Sequence, residues 1–310
     1  MRRKSLVLGI LSAGILTGLA IGACLWTPDR SRITLEPKYL NSPNDYLDVE
    51  GIRLHLRDSG PRNAPSVILL HGFGSSLHTW EDWARSLSDE YRVVRYDLPG
   101  FGLTGPDPKG DYTDERGMEI LAALMDRLSI RRASLVGNSI GGRLAWHFAA
   151  RYPGRVDKLV LISPDGFASP GYEYGKAPAV PLFVRMMKYV LPRSFVKANL
   201  APAYADPRRL SDTTVDRYYD LMLAPGVRGA MIARLEQTKL EPPEPILKSI
   251  EASTLVVWGQ QDKLIPITNA GDYMHALPHA KFVSLPNLGH VPQEEDPASS
   301  LIPVRAFLDK

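Results

Sequence analysis

Beyond residue 45, short apolar runs alternate with stretches in which apolar positions recur every three or four residues. The short runs predict strands over residues 52–57, 67–70, 92–96, 133–136, 158–162, 254–258 and 281–285. Several of them hold continuous apolar runs, as expected where a strand is covered on both faces rather than one. Helical spacing falls near residues 79–88, 115–128, 140–151, 268–277 and 298–308. Strand and helix in alternation predict the α/β class, with a mostly parallel central sheet and helices on both faces. The rhythm breaks between about residues 166 and 250, where Pro, Met, Tyr and Arg mix with helical patches at 181–191, 213–223 and 227–238. A connection this long between two strands is usually functional or a subdomain of its own, so an inserted helical lid is expected there, with extra core helices as the alternative. Glu241-Pro242-Pro243-Glu244-Pro245 forms a stiff return to the sheet.

Composition adds a bound. A chain of 310 residues with 44% hydrophobic and 23% charged positions can build a sizeable core and is not globally disordered. The formal charge of +3 comes from 37 cations against 34 anions. Arg2, Arg3 and Lys4 supply that excess, so no nucleic-acid surface is implied. Those three cations precede an uncharged apolar run over residues 5–26, long enough as a helix to cross a hydrocarbon core of ~30 Å. Residues 1–26 therefore read as an export signal or signal anchor that leaves the remainder outside the cytoplasm. Ile21-Gly22-Ala23-Cys24 resembles a bacterial lipobox, with Cys24 as the lipid-bearing residue. The alternative makes Cys24 one more apolar position in a spanning helix. Either way the chain is tethered to a membrane, with residues 27–44 as a linker, 45–165 and 251–310 as the two parts of the core, and 166–250 as the lid. As the single cysteine, Cys24 cannot form an intramolecular disulfide, and no Cys/His cluster has zinc-ligand spacing. No metal or cofactor is expected, and the oligomeric state stays open.

The predicted strand 133–136 runs straight into Gly137-Asn138-Ser139-Ile140-Gly141-Gly142, and a helical pattern follows at once. A serine on a sharp strand-to-helix turn sits in strained backbone and needs small neighbours, which Gly137, Gly141 and Gly142 supply. Its hydroxyl is a poor nucleophile unless an imidazole takes the proton and a carboxylate orients the imidazole. Two later strands end next to such groups: Asp262 follows strand 254–258, and His290 follows strand 281–285. Carboxyl ends of parallel strands are where open α/β sheets build their sites. Asp165, after strand 158–162, is the rival acid. Asp97 and His71 fit loop-bracing roles. His55, His78, His147, His275 and His279 read as surface or packing residues, with no pair among them spaced for a metal.

From about residue 45 onward the chain resembles the α/β-hydrolases of the esterase, epoxide-hydrolase and dehalogenase branch. The resemblance rests on His71-Gly72-Phe73-Gly74, Asp97-Leu98-Pro99-Gly100-Phe101-Gly102, the serine turn, Asp262 and Gly289-His290, all in the expected order. It implies Ser139 as nucleophile, His290 as general base and then acid, Asp262 as the residue that orients it, and the backbone N–H groups of Phe73 and Ile140 as the oxyanion hole. A serine in place of the aspartate nucleophile of dehalogenases and epoxide hydrolases implies attack on a carbonyl. The turn is similar to that of meta-cleavage-product hydrolases, which cleave carbon–carbon bonds. Those commonly carry Trp after the catalytic histidine, where this chain has Val291. An exported, tethered hydrolase with an apolar lid is similar instead to bacterial lipases and carboxylesterases. The expectation is an esterase or lipase acting on small-molecule or lipid esters. Leu182, Phe183, Met186, Met187 and Tyr189 are candidates for the acyl pocket; carbon–carbon hydrolysis and a non-catalytic binding role are the alternatives.

Overall fold

The computed structural model describes residues 26–168 and 173–310. In chain order its main elements begin with α1 (Arg32–Tyr39), β1 (Tyr46–Val49), β2 (Ile52–Ser59), β3 (Ser66–Leu70), α2 (Glu81–Leu87), β4 (Arg92–Tyr96) and α3 (Asp114–Arg127). β5 (Ala133–Asn138), α4 (Ile140–Arg151) and β6 (Val156–Ile162) follow, and then the insertion, with α5 (Leu182–Met186), α6 (Arg193–Leu200), α7 (Asp212–Met222), α8 (Val227–Gln237) and α9 (Pro243–Lys248). The chain returns through β7 (Ser253–Gly259), α10 (Asn269–Ala276), β8 (Lys281–Leu285), α11 (Pro292–Glu295) and α12 (Pro297–Leu308). The eight strands form one sheet in the order β1-β2-β4-β3-β5-β6-β7-β8. β1/β2 and β2/β4 pair antiparallel; every other neighbouring pair is parallel.

The apolar runs are continuous because alternate side chains of the central strands β3 to β7 enter different cores. Ile68 and Leu70 face the core built with α3, α4 and α10, whereas Val67 and Leu69 face the one built with α2 and α12. Leu159 and Leu161 against Val160 and Ile162, and Val256 and Trp258 against Leu255 and Val257, repeat the division. The two-residue period of a strand thus serves two hydrophobic layers at once.

Three features differ from expectation. β1 was not foreseen: four residues are too few to display a period, and the turn to β2 is made by Glu50 and Gly51, both at positive φ (50° and 78°). Residues 27–44, expected as a linker, contain α1, and it is docked. Leu35 is fully buried in the first core, and Arg32 Nη1 donates to the Leu103 carbonyl at 2.7 Å. Finally, the insertion does not cover the site along its whole length. α9 buries Leu247 in the first core, so the last part of residues 166–250 is ordinary core helix.

The apolar run over residues 5–26 lies outside the described residues except for Trp26. Among the described residues no helix is long and apolar enough to cross a membrane.

Candidate active site

β5 and α4 are joined by one residue, Ser139, at φ 55° and ψ −122°. That backbone is unfavourable for any side chain bearing Cβ and is held here by close packing on every side. A Cβ on Gly137 would lie 2.2 Å from the carbonyl oxygen of Gly141, and one on Gly141 would lie 2.3 Å from that of Leu70. Neither residue needs glycine for its φ; both need it because backbone passes where a methyl would be. Ser139 is consequently presented at the end of the central strand, at the start of α4.

His290 stands opposite on the loop after β8, and its Nδ1–H donates to Asp262 Oδ2 at 2.8 Å. The ring is thereby fixed with Nε2 free to act as base toward the serine. Asp262 Oδ1 accepts the N–H groups of Leu264 and Ile265, each at 2.9 Å, which holds the carboxylate in place. Asp165, the rival acid, is committed elsewhere, accepting from Arg143 Nη1 at 2.7 Å. Ser139 and His290 line the same cavity without a hydrogen bond between them, a loose arrangement of the kind that tightens when substrate is bound.

The N–H groups of Phe73 and Ile140 donate to no described residue; Ile140 follows Ser139 directly, and Phe73 lines the same cavity as Ser139. Ile140 is the first residue of α4, so the helix end adds its partial positive charge. The loop carrying Phe73 is braced as expected. His71 Nδ1–H donates to the Gly72 carbonyl at 2.7 Å, and His71 Nε2 accepts the Leu98 N–H at 2.9 Å. Asp97 accepts the N–H groups of Leu77 and Leu103, both at 2.8 Å, and His55 Nδ1–H at 2.7 Å. Burial pushes His71 down to about 4, so its imidazole is neutral at physiological pH and this donor–acceptor pattern is its stable form. The neighbouring imidazoles hold Asp97 far below the usual carboxylate range despite its complete burial.

Pattern reading missed the residues that carry the histidine loop. Asn138, inside the serine motif, donates to the His290 carbonyl at 2.9 Å, linking nucleophile turn to base. Glu295, which has no place in the sequence reading, accepts the N–H of Gly289 at 2.8 Å and those of Ala205 and Asp206 at 3.1 and 3.0 Å. One buried carboxylate therefore fastens the histidine loop and the lid together. Only the run Glu294-Glu295-Asp296, shortly after His290, hints at it in sequence.

The cavity over Ser139 and His290 has a volume of about 330 Å³. Phe183, Met187, Leu191, Val196 and Leu200 from the insertion form its roof, and Val291 belongs to its lining. Of the lid residues proposed to line an acyl pocket, Phe183 and Met187 do so. Leu182, Met186 and Tyr189 stay exposed and are not among the lining residues. Among the described residues no group of three or more His, Cys, Asp or Glu side chains is placed to hold a metal ion.

A serine at a strained strand-to-helix turn, a carboxylate-oriented histidine and two free main-chain donors on this sheet define an α/β-type hydrolase. Residues 65–297 match the alpha/beta hydrolase fold family, and the chain belongs to that family. Its relatives include the 2-hydroxy-6-oxo-2,4-heptadienoate hydrolase of Pseudomonas putida, 31% identical over 231 residues that cover 70% of this chain and 78% of that enzyme. Among solved structures it is similar to a membrane phospholipase A described as a bacterial virulence factor. That match has a TM-score of 0.71 and 26% identity, covering 100% of this chain and 98% of the other. It is also similar to a putative lipase of Acinetobacter baumannii, with a TM-score of 0.73 and 25% identity over 85% of this chain and 89% of that one.

Proposed function

We propose that this hydrolase cleaves carboxylic esters, of lipids or of smaller acyl compounds, through an acyl-enzyme on Ser139. The observation that carries the reading is the apolar chamber roofed by Phe183, Met187, Leu191, Val196 and Leu200, with Ser139 and His290 in its wall. A chamber of this composition favours a hydrocarbon chain over a polar acid, because each buried methylene contributes ~0.8 kcal/mol of binding. In the first half-reaction Ser139 Oγ adds to the ester carbonyl while His290 Nε2 takes its proton, and the N–H groups of Phe73 and Ile140 stabilise the oxyanion. The tetrahedral intermediate collapses as His290 returns that proton to the alcohol oxygen, which leaves. Water activated by the same imidazole then releases the acid.

The proposal includes a tether. Arg2, Arg3 and Lys4 before an apolar run over residues 5–26 favour an N-terminal membrane anchor, or a lipid on Cys24, with the catalytic domain outside the cytoplasm. The likeness to a membrane phospholipase A along the full chain supports the same placement. Carbon–carbon hydrolysis of a vinylogous diketone is the competing reading, favoured by the relative from Pseudomonas putida.

The test is turnover of p-nitrophenyl esters of increasing acyl length beside a meta-cleavage diketone, by the parent chain and by Ser139→Ala. Ester preference rising from acetyl to octanoyl is expected, with the variant losing activity by about 10⁴–10⁶-fold. Preference for the diketone would replace the ester reading; no turnover of either would leave a binding protein.

A further inference from the structure

A second cavity, also about 330 Å³, adjoins the oxyanion loop. Phe73 and Leu264 line both cavities, and Ile140 lines the second. An ester carbonyl held by the two donors therefore has one chamber available to each of its substituents. The second chamber differs from the apolar one in carrying Arg143, Asp165 and Arg234 in its lining.

The two arginines are in different states. Arg143 is neutralised, donating to Asp114 Oδ1 at 3.2 Å and to Asp165 Oδ2 at 2.7 Å. Arg234, on α8, is 8% exposed and pairs with no carboxylate among the described residues. Its Nη2 donates to the Pro99 carbonyl at 3.2 Å, its Nε finds no acceptor, and its guanidinium lies 5.4 Å from the Phe101 ring centre and 5.7 Å from that of Tyr112. Burial lowers its pKa to about 10, which still leaves it cationic at neutral pH. The carboxylate that acts most strongly on Arg234 is Asp114, and that group is already hydrogen-bonded to Arg143. A buried cation with no carboxylate of its own is costly to maintain in a folded chain, and one lining a cavity beside Phe73 and Ile140 points to an anion supplied by the substrate.

We infer that the second cavity receives the leaving-group side of the ester, and that Arg234 there binds an anionic oxyacid group, phosphate or carboxylate, carried by the alcohol. This rests on the ester reading and extends it, dividing the substrate between an apolar chamber for the acyl chain and a cationic one for the charged alcohol. A phosphorylated glycerol has that chemistry. So does free phosphate, which would occupy the same side chain without being part of a substrate.

The experiment compares octanoyl glycerol with octanoyl glycerol phosphate, using the full chain, Arg234→Gln and Arg234→Lys. The parent should show the higher kcat/KM on the phosphate. The phosphate-to-neutral ratio should fall by about tenfold or more in Arg234→Gln and be largely kept in Arg234→Lys. Being a ratio, it does not depend on how much of a variant folds. A parent that prefers the neutral ester, or a ratio unchanged in Arg234→Gln, overturns the assignment. If the parent cleaves neither ester, the ester reading fails, and the anion site is still read by calorimetric titration of glycerol phosphate and inorganic phosphate into Ser139→Ala. Tighter binding of glycerol phosphate, weakened by adding Arg234→Gln, supports the subsite; no binding, or tighter binding of inorganic phosphate, overturns it.

Discussion

The serine turn and the lid that covers it are held differently. Around Ser139 the backbone is packed against itself, with Gly137 and Gly141 leaving no room for one methyl group. The lid buries Leu221, Val227 and Met231 in the first core, and adds charges and hydrogen bonds running to the segment before the core. Asp220 on α7 is buried and gathers three donors from that segment: Arg30, Lys38 Nζ at 3.1 Å and Tyr39 Oη at 2.9 Å. Arg228 on α8 donates to Asp29 and to the Thr27 carbonyl, both at 2.7 Å. Thr27 N–H reaches the Tyr189 carbonyl at 2.8 Å, and the Trp26 ring lies 5.6 Å from that of Tyr189. Steric packing tolerates almost no displacement, whereas ion pairs at a partly wet seam can open and reform at modest cost. The difference places rigidity at the serine turn and adjustability in the cover over the cavity.

The strongest way to break this contrast is Gly137→Ala. Its methyl would overlap the Gly141 backbone, so the turn must shift with the central strand. A loss of about 4 kcal/mol or more is expected, enough to abolish soluble folded protein. A variant with near-parental urea stability would show that the turn is not sterically locked.

Asp220→Ala probes the other region and should do less. Arg30 and Lys38 are themselves partly exposed and can rehydrate, so about 1–3 kcal/mol is expected. Hydrogen exchange should rise in α1 and α7 and stay slow in β3, β5 and β6. Uniform acceleration across the sheet would show that the seam and the core unfold as one unit.

The smallest expected effect is a pH dependence of the bracing loop. His71 is neutral in the folded state because burial lowers it to about 4, whereas an unfolded histidine titrates near ~6.5. Between those values the unfolded chain binds the extra proton, so stability is complete above ~6.5 and declines as pH falls toward 4. At pH 5.5 His71 should account for about 1 kcal/mol of loss, and His78, which burial lowers to about 3, adds to it in the same direction; both are read as a drop in the denaturation midpoint relative to pH 7.5. His71→Asn should remove its share of that slope even if it lowers stability throughout. A parent midpoint independent of pH over this range would remove the neutral brace from the picture.

Much of the fold could be read along the chain because its determinants are local. All seven expected strands are present, and for the central ones the reason is that a run buried on both faces needs no distant partner to declare itself. Ser139 was legible for the same reason, its turn requiring glycines at fixed offsets. Asp262 and His290 were found as residues that follow strands. The decision between Asp262 and Asp165 needed space: both follow strands, and only the fold hands one to His290 and the other to Arg143. Glu295 and Asn138 escaped notice because what defines them is the backbone they hold, which lies far off in sequence.

From its order of residues alone, then, this protein determined an α/β sheet, a strained serine, and an acid and a base downstream of it, because periodicity, glycine spacing and strand ends are short-range properties. The tertiary structure decided which carboxylate orients the histidine, which lid side chains line the chamber, and that residues 27–44 form a docked strap rather than a free linker. It also decided that Arg143 is paired and Arg234 is not. Two arginines are chemically identical in a sequence, and the difference between a satisfied cation and an unsatisfied one lies in which oxygen atoms the folded chain brings within hydrogen-bonding reach.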